Sequence, residues 1–119
     1  AEALFRKNVQ AIRDRDREAY LSCYLASPRL VRTGPAGFQR GFTELADGTP
    51  ATGSSDWPES LTPSDLRVTW VRPGLVYGTY AYVVVIDGEK SEGLSERVFI
   101  KTNEGWKIAV TTAFPAPPK

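Results

Sequence analysis

Two neighbouring residues in the segment "LSERVFI" have the greatest capacity for chemistry in this sequence. Glu96 is a carboxylate among apolar residues, and burial would raise its pKa toward the neutral range that an acid/base catalyst needs. Arg97 presents a planar guanidinium that suits a bound carboxylate. Strand side chains alternate between faces, so only one of the two can point into the interior. Either one could instead form a cross-strand ion pair on the outer face.

The segment "WKIAVTTAF" ends the last strand of the sequence with two hydroxyls and no stronger acid or base. Strict alternation puts Trp106, Ile108, Val110 and Thr112 on one face. We therefore predict that Val110 and Thr112 face the interior and form part of an apolar ligand-binding wall. The simpler alternative is that β-branched residues merely suit a strand and that the Thr112 hydroxyl meets a backbone carbonyl.

Two aromatic residues are further candidates for ligand contact. Tyr24 lies on a predicted helix, and Trp57 lies in a loop rich in Gly, Pro, Ser and Thr, residues 47–60. A large aromatic side chain in such a loop is expected to fold back onto apolar surface. Cys23 is the only thiol, and without a histidine to activate it we expect a small buried side chain rather than a nucleophile.

Composition argues against several other classes of function. The sequence has no histidine and one cysteine, and its acids are not clustered at ligand spacing, so we expect neither a metal site nor a cofactor. The net charge of +1 provides no general attraction to nucleic acid or to an anionic membrane. No apolar run approaches the roughly 20 residues of a membrane-spanning helix.

The order of the predicted elements indicates one α+β domain over residues 1–119. Apolar spacing predicts helices over residues 3–12 and 17–26, and "RLVRTG" predicts a short strand. Period-two alternation from residue 65 onward then predicts a four-stranded antiparallel meander, in which Gly78 suggests a bulge or a bend. The tail "PAPPK" cannot continue a ladder and should be loose. We expect the helices to cover one face of a curled sheet and leave a concave side.

The chain resembles the nuclear transport factor 2-like (NTF2-like) superfamily, also called SnoaL-like, over nearly its whole length. The segments that carry this resemblance are "AIRDRDREAYLSCYLASPRLVRTGPAGFQRG" and the C-terminal "ERVFIKTNEGWKIAVTTAF". Trp106, Lys107 and Ile108 after the turn at Gly105 are the strongest single match.

The resemblance implies a cystatin-like, cone-shaped α+β fold with a pocket at the wide end, and a homodimer through the outer sheet face. The superfamily includes isomerases, cyclases, dehydratases and domains that only bind or assemble. Related domains often end in "W-K-I-V-H-D-H", and the histidine positions fall on Val110 and Thr112, with the aspartate on Thr111. Thr33 stands where some isomerase relatives carry an aspartate. These departures weigh against an isomerase.

The favoured hypothesis is a non-catalytic domain of unassigned biochemical role that binds a small apolar or aromatic ligand and forms a homodimer. The alternative is a cofactor-independent isomerase, dehydratase or cyclase in which Glu96 is the acid/base and Tyr24 polarises a carbonyl. A third is an accessory protein whose outer sheet face binds another chain. The sequence has no methionine, and "AEA" suits either a processed secreted or periplasmic chain or a trimmed cytoplasmic one.

Overall fold

The structure is a computed structural model that describes residues 1–34 and 37–115. Residues 35 and 36, within the Gly34–Gly37 segment, and 116–119, most of the predicted loose tail, lie outside the described residues. The helices are α1 (Glu2–Arg13), α2 (Arg17–Ser22) and α3 (Phe42–Asp47). No helix among the described residues is long and apolar enough to cross a membrane.

The strands are β1 (Val31–Gly34), β2 (Gly37–Arg40), β3 (Ser60–Arg72), β4 (Leu75–Ile86), β5 (Glu89–Thr102) and β6 (Gly105–Pro115). They form one sheet in the order β2-β1-β6-β5-β4-β3. The predicted meander from β3 to β6 is confirmed, and all its pairs are antiparallel. Strand β1 joins β6 in parallel, with Thr33 opposite Thr112.

The first two helices lie against the concave face of this sheet. Helix α1 buries Phe5 and Val9, and the Phe5 ring meets Tyr80 of β4 edge to face at 4.7 Å between ring centroids. Asp16 caps α2, because its side chain accepts a hydrogen bond from the Ala19 amide at 3.1 Å. This arrangement confirms the α+β architecture and places the core between the helices and the sheet.

Bulges bend the sheet at positions that the sequence does not mark. Strand β3 has an extra residue between Ser64 and Arg67, where Asp65 has a φ of 53°. Strand β6 has another at Ala109, because Val98 faces Val110 while the next residue, Phe99, faces Ile108. Each bulge increases the local twist, so the sheet curls around α1.

Of the bulge or bend predicted at Gly78, the bulge is wrong, since β4 pairs without interruption there. Gly78 is needed for a different reason: a Cβ at this position would lie 3.0 Å from the Phe99 ring. Helix α2 also ends earlier than predicted, at Ser22, because Tyr24 forms a bridge with Ile108 of β6. Strand β2 was not predicted at all.

Candidate functional site

Arg97 lies inside the fold, under helix α1, with 5% of its surface exposed. Its Nη1 donates to Asn8 Oδ1 of α1 at 2.5 Å, and its Nη2 donates to the Tyr80 hydroxyl at 2.8 Å. Its guanidinium carbon lies 5.0 Å from the Tyr80 ring centroid and 5.6 Å from that of Phe5. The charge is thus held by dipoles and aromatic faces.

No carboxylate pairs with Arg97 within the described part of the chain. The ion pairs there are Arg6 with Glu2, Arg67 with Asp65 and Lys90 with Glu92, all on the surface. The Nε of Arg97 is buried and has no hydrogen-bond partner. A guanidinium remains protonated in proteins, so the interior of this fold carries a positive charge with no negative group beside it among residues 1–34 and 37–115.

A hydrogen-bonded chain leads from Arg97 through α1 to α2. Asn8, which is fully buried, donates from Nδ2 to the Tyr24 hydroxyl at 3.4 Å, and Tyr24 donates to the Tyr20 hydroxyl at 3.1 Å. Burial, and next the neighbouring Tyr20, hold the pKa of the Tyr24 phenol well above its ordinary value. Tyr24 therefore stays neutral and acts as both donor and acceptor in this chain.

Tyr20 lies beside an open cleft of about 500 Å³, which we call the Trp57 cleft. Its walls are mostly apolar and come from α1, β2, α3, the loop before β3 and the end of β4, including Ile12, Phe38, Leu45, Trp57 and Ile86. The Trp57 ring stands nearly perpendicular to Tyr20, at 83° and 5.5 Å, and its indole nitrogen donates to the Ala51 carbonyl at 2.8 Å. The loop that carries Trp57 is thereby fixed over the cleft, and the predicted folding back of Trp57 onto apolar surface is confirmed.

The polar groups of the cleft are Tyr20, Arg32, Gln39, Thr49 and Asp56. Arg32 of β1 is half-buried and donates to Gln39 Oε1 at 3.2 Å. None of the ion pairs in the described residues involves it. Asp56 is exposed at the rim. The lining of the cleft thus offers hydrogen-bond donors and a positive charge beside its apolar side chains.

No protein-family model and no curated protein matches the sequence. Solved structures do match. An NTF2-like protein of unknown function from Shewanella oneidensis superimposes with a TM-score of 0.79 at 14% identity, over 94% of this chain and 93% of that one. An NTF2-like superfamily protein from Salmonella enterica gives 0.77 at 16% identity, over 98% of this chain and 89% of that one. A cystatin-like fold protein from Burkholderia xenovorans gives 0.78 at 20% identity, over 98% and 90%.

The chain has the NTF2-like, cystatin-like fold. At identities of 14 to 20% the likeness is one of fold, which hosts many unrelated activities. The site must therefore be judged on the residues of this chain. In the NTF2-like cone, the Trp57 cleft is a concave opening between the helices and the curled sheet, and Arg97 lies deeper, behind Tyr20 and Tyr24.

The predicted orientation of Val110 and Thr112 is wrong. The bulge at Ala109 reverses the alternation, so Thr111 lies opposite the inward Arg97 while Thr112 lies opposite Glu96 on the outer face. Thr111 is 6% exposed, as an inward residue should be. Trp106 and Ile108, which precede the bulge, keep the inward orientation predicted for them.

The choice between Glu96 and Arg97 is settled in favour of Arg97 as the inward residue. Glu96 lies on the outer sheet face beside Tyr77, where burial first and the Glu96 carboxylate second raise the pKa of the Tyr77 phenol. The acid/base catalyst required by the isomerase hypothesis is thus absent from the interior position assigned to it. Tyr24 is buried at 3% exposure and faces Asn8 and Tyr20 rather than the cleft.

Two residues of the site were missed from the sequence: Asn8 and Arg32. Asn8 carried a signal, because it is a polar residue three positions after Phe5 on the apolar face of the helix. Arg32 carried none, since a single arginine in a short strand is most often solvated. Within residues 1–34 and 37–115, no group of three or more acidic or cysteine side chains could hold a metal ion.

Proposed function

We propose that the protein is a binding domain whose Trp57 cleft takes a small, flat, apolar molecule carrying a carboxylate or a comparable anionic group. The volume of about 500 Å³ lies in the range of small-ligand sites, which combine apolar walls with a few placed polar groups. The single observation that carries the proposal is Arg32, a half-buried cation that lines this apolar cleft and has no carboxylate partner in the described residues.

The cleft supports binding better than acid/base catalysis. Among its described lining residues the one carboxylate is Asp56, which is exposed, whereas Arg32 can only donate and Tyr20 and Thr49 carry hydroxyls. A guanidinium binds carboxylates through two parallel N–H groups, and burial between apolar walls strengthens such a contact. The aromatic face of Trp57 suits a planar ligand body.

The experiment compares 2-naphthoate with its neutral counterpart, 2-naphthamide, by calorimetry and thermal unfolding. We expect the naphthoate to bind and to stabilise the fold, by about 2.7 kcal/mol at a concentration of 100 times Kd. Arg32→Gln should weaken its binding by at least about tenfold, because a charge-assisted hydrogen bond contributes roughly 1.5–3 kcal/mol. Arg29→Gln, an exposed arginine two residues before β1, is the matched control. Equal binding of the two ligands, or equal effects of the two substitutions, would contradict the proposal.

We further propose that two copies of the chain pair through the outer sheet face. Leu94 and Phe114 lie directly opposite each other on β5 and β6, and their side chains are 59% and 52% exposed. Val98 and Val110 form the next apolar pair on the same face. Exposed apolar pairs aligned along a sheet are typical of an interface rather than of solvated surface.

Sedimentation of the wild-type chain and of Leu94→Glu tests this pairing. The wild type should sediment as a dimer and Leu94→Glu as a monomer, because a charge would be buried at the interface. Val68→Glu, at a 40% exposed apolar position on the opposite face, should remain dimeric. A wild-type monomer at all concentrations would refute the pairing.

A further inference from the structure

The direction of the hydrogen bonds between Arg97 and Tyr20 follows from the donor and acceptor inventory of each group. A guanidinium only donates, so Asn8 must turn its Oδ1 toward Arg97. Its Nδ2 then faces Tyr24 and can only donate, so the Tyr24 oxygen accepts there. Tyr24 in turn donates its own proton to the Tyr20 oxygen at 3.1 Å. Every donor in the chain thus points away from the buried charge.

The hydrogen-bonded chain ends at Tyr20, a residue that lines the Trp57 cleft. Tyr20 lines that cleft, whereas Asn8, Tyr24 and Arg97 do not. Because the Tyr20 oxygen accepts from Tyr24, its hydroxyl proton remains free to be given to something else. Hydrogen bonds in such a chain polarise one another, and a cation at the origin increases the donor strength at the end.

We propose that Tyr20 binds the ligand of the Trp57 cleft by donating its hydroxyl proton to a carbonyl or carboxylate oxygen. Asn8 and Tyr24 are positioning residues, because their hydrogen bonds transmit the donor direction from Arg97 to Tyr20. This inference rests on the function proposed above and adds a ligand-binding residue to it. Arg32 and Tyr20 then hold the polar end of the ligand while Trp57 covers its apolar body. The specificity that results is for oxygen acceptors and against donors such as phenols and amines.

The decisive substitution is Asn8→Asp, which preserves the shape of the side chain and reverses the direction of the hydrogen bonds between this position, Tyr24 and Tyr20. A carboxylate at this position accepts from both neighbours, so it receives the protons of Arg97 and of Tyr24. The Tyr24 oxygen is then left to accept from Tyr20, whose proton is no longer available to the cleft. The new ion pair with Arg97 keeps the interior satisfied, so the fold is retained.

The probe is 2-acetylnaphthalene labelled with ¹³C at its carbonyl, whose stretching frequency reports on hydrogen bonding to the oxygen. In the wild-type complex the band should lie at lower wavenumber than in the Tyr20→Phe complex, and Asn8→Asp should move it to the Tyr20→Phe value. Both substitutions should weaken binding by about tenfold, the effect of one lost hydrogen bond to a polar ligand atom. Arg29→Gln should leave the band unchanged. If the carbonyl band of the Asn8→Asp complex lay at the wild-type position, the proposed direction of the hydrogen bonds from Arg97 to Tyr20 would be overturned. The cleft would still be a binding site.

A neutron structure of the unliganded, deuterated wild-type protein gives a second test that needs no ligand. The Tyr24 deuteron should lie between the two tyrosine oxygens, and the Tyr20 deuteron should point away from Tyr24. A Tyr24 deuteron on the Asn8 side, or a Tyr20 deuteron that points to Tyr24, overturns the proposed direction of the hydrogen bonds even if Asn8→Asp does not fold. If neither 2-naphthoate nor 2-acetylnaphthalene binds, the proposed function is overturned instead. The deuteron positions alone would then decide the direction of the hydrogen bonds.

Discussion

Arg97 and Asn8 should be strongly coupled in their effect on stability, because each is the main partner of the other in a buried site. Arg97→Met leaves Asn8 Oδ1 and the Tyr80 hydroxyl without a donor, at a cost of about 3 kcal/mol. Asn8→Leu leaves Nη1 unpaired beside an Nε that already has no partner, and an unpaired buried charge of this kind costs about 4 kcal/mol.

The double variant Arg97→Met/Asn8→Leu should cost much less than the sum of the two. It replaces both polar partners with apolar side chains of similar size, which is often close to neutral. The remaining cost arises because the Tyr80 and Tyr24 hydroxyls each lose one hydrogen-bond donor. We expect a total of about 3 kcal/mol and hence a coupling energy of about 4 kcal/mol, above the roughly 0.5–3 kcal/mol usual for neighbouring residues.

Equilibrium unfolding in urea, followed by circular dichroism, measures all four free energies. For a chain of this length each kcal/mol corresponds to about 4 °C in Tm, so calorimetry provides an independent reading. The exposed pair of Lys90 and Glu92, at 3.9 Å, is the control and should give no measurable coupling. Costs for Arg97→Met and Asn8→Leu that add to within about 0.5 kcal/mol would show that the Arg97 charge is not held by Asn8.

Three further predictions concern other parts of the fold. Thr112→Val should raise the free energy of unfolding by about 1 kcal/mol, since it removes a buried Oγ1 that has no partner, and a loss in calorimetric stability would contradict this. Burial raises the pKa of the Cys23 thiol above its ordinary value of 9.0, so the folded state holds that proton more tightly and stability is complete below pH 9.0 and falls above it. Cys23→Ala should reduce the fall in the free energy of unfolding just above pH 9.0, measured by urea unfolding at a series of pH values. An unchanged dependence on pH would exclude the thiol as its source. Binding of 2-naphthoate should alter tryptophan emission in Trp70→Phe but not in Trp57→Phe, because only Trp57 lines the cleft.

The local patterns of the sequence were sufficient to predict α1, the first part of α2 and the antiparallel meander. Period-two alternation marks β3 to β6, and the spacing of Phe5 and Val9 marks α1. Strand β2 could not be predicted, because "GFQR" is short and polar and is held by its pairing with β1. The parallel joining of β1 to β6 is likewise a contact between distant segments that no local pattern encodes.

The site was predicted less well than the fold, for two physical reasons. The bulge at Ala109 changes which threonine faces inward, and its position depends on how the sheet bends rather than on the residue itself. The apolar residues of β5, Leu94, Val98 and Ile100, lie on the outer face, and Arg97 lies on the other one. The alternation of apolar residues therefore did not indicate that Arg97 faces inward. Its burial is stabilised by Asn8, 89 positions away in the sequence.

The position of β6 between β1 and β5 has a consequence for biosynthesis. Strands β1 and β2 form a small hairpin early in the chain, but the neighbour that ties them to the large meander consists of residues Gly105–Pro115. Until those residues have been translated, the nascent chain holds two separate β-units with open edges, which are prone to pair with other chains. The sheet should therefore be completed only after β6 has been synthesised, and until then its open strand edges should be sensitive to chaperones that shield them.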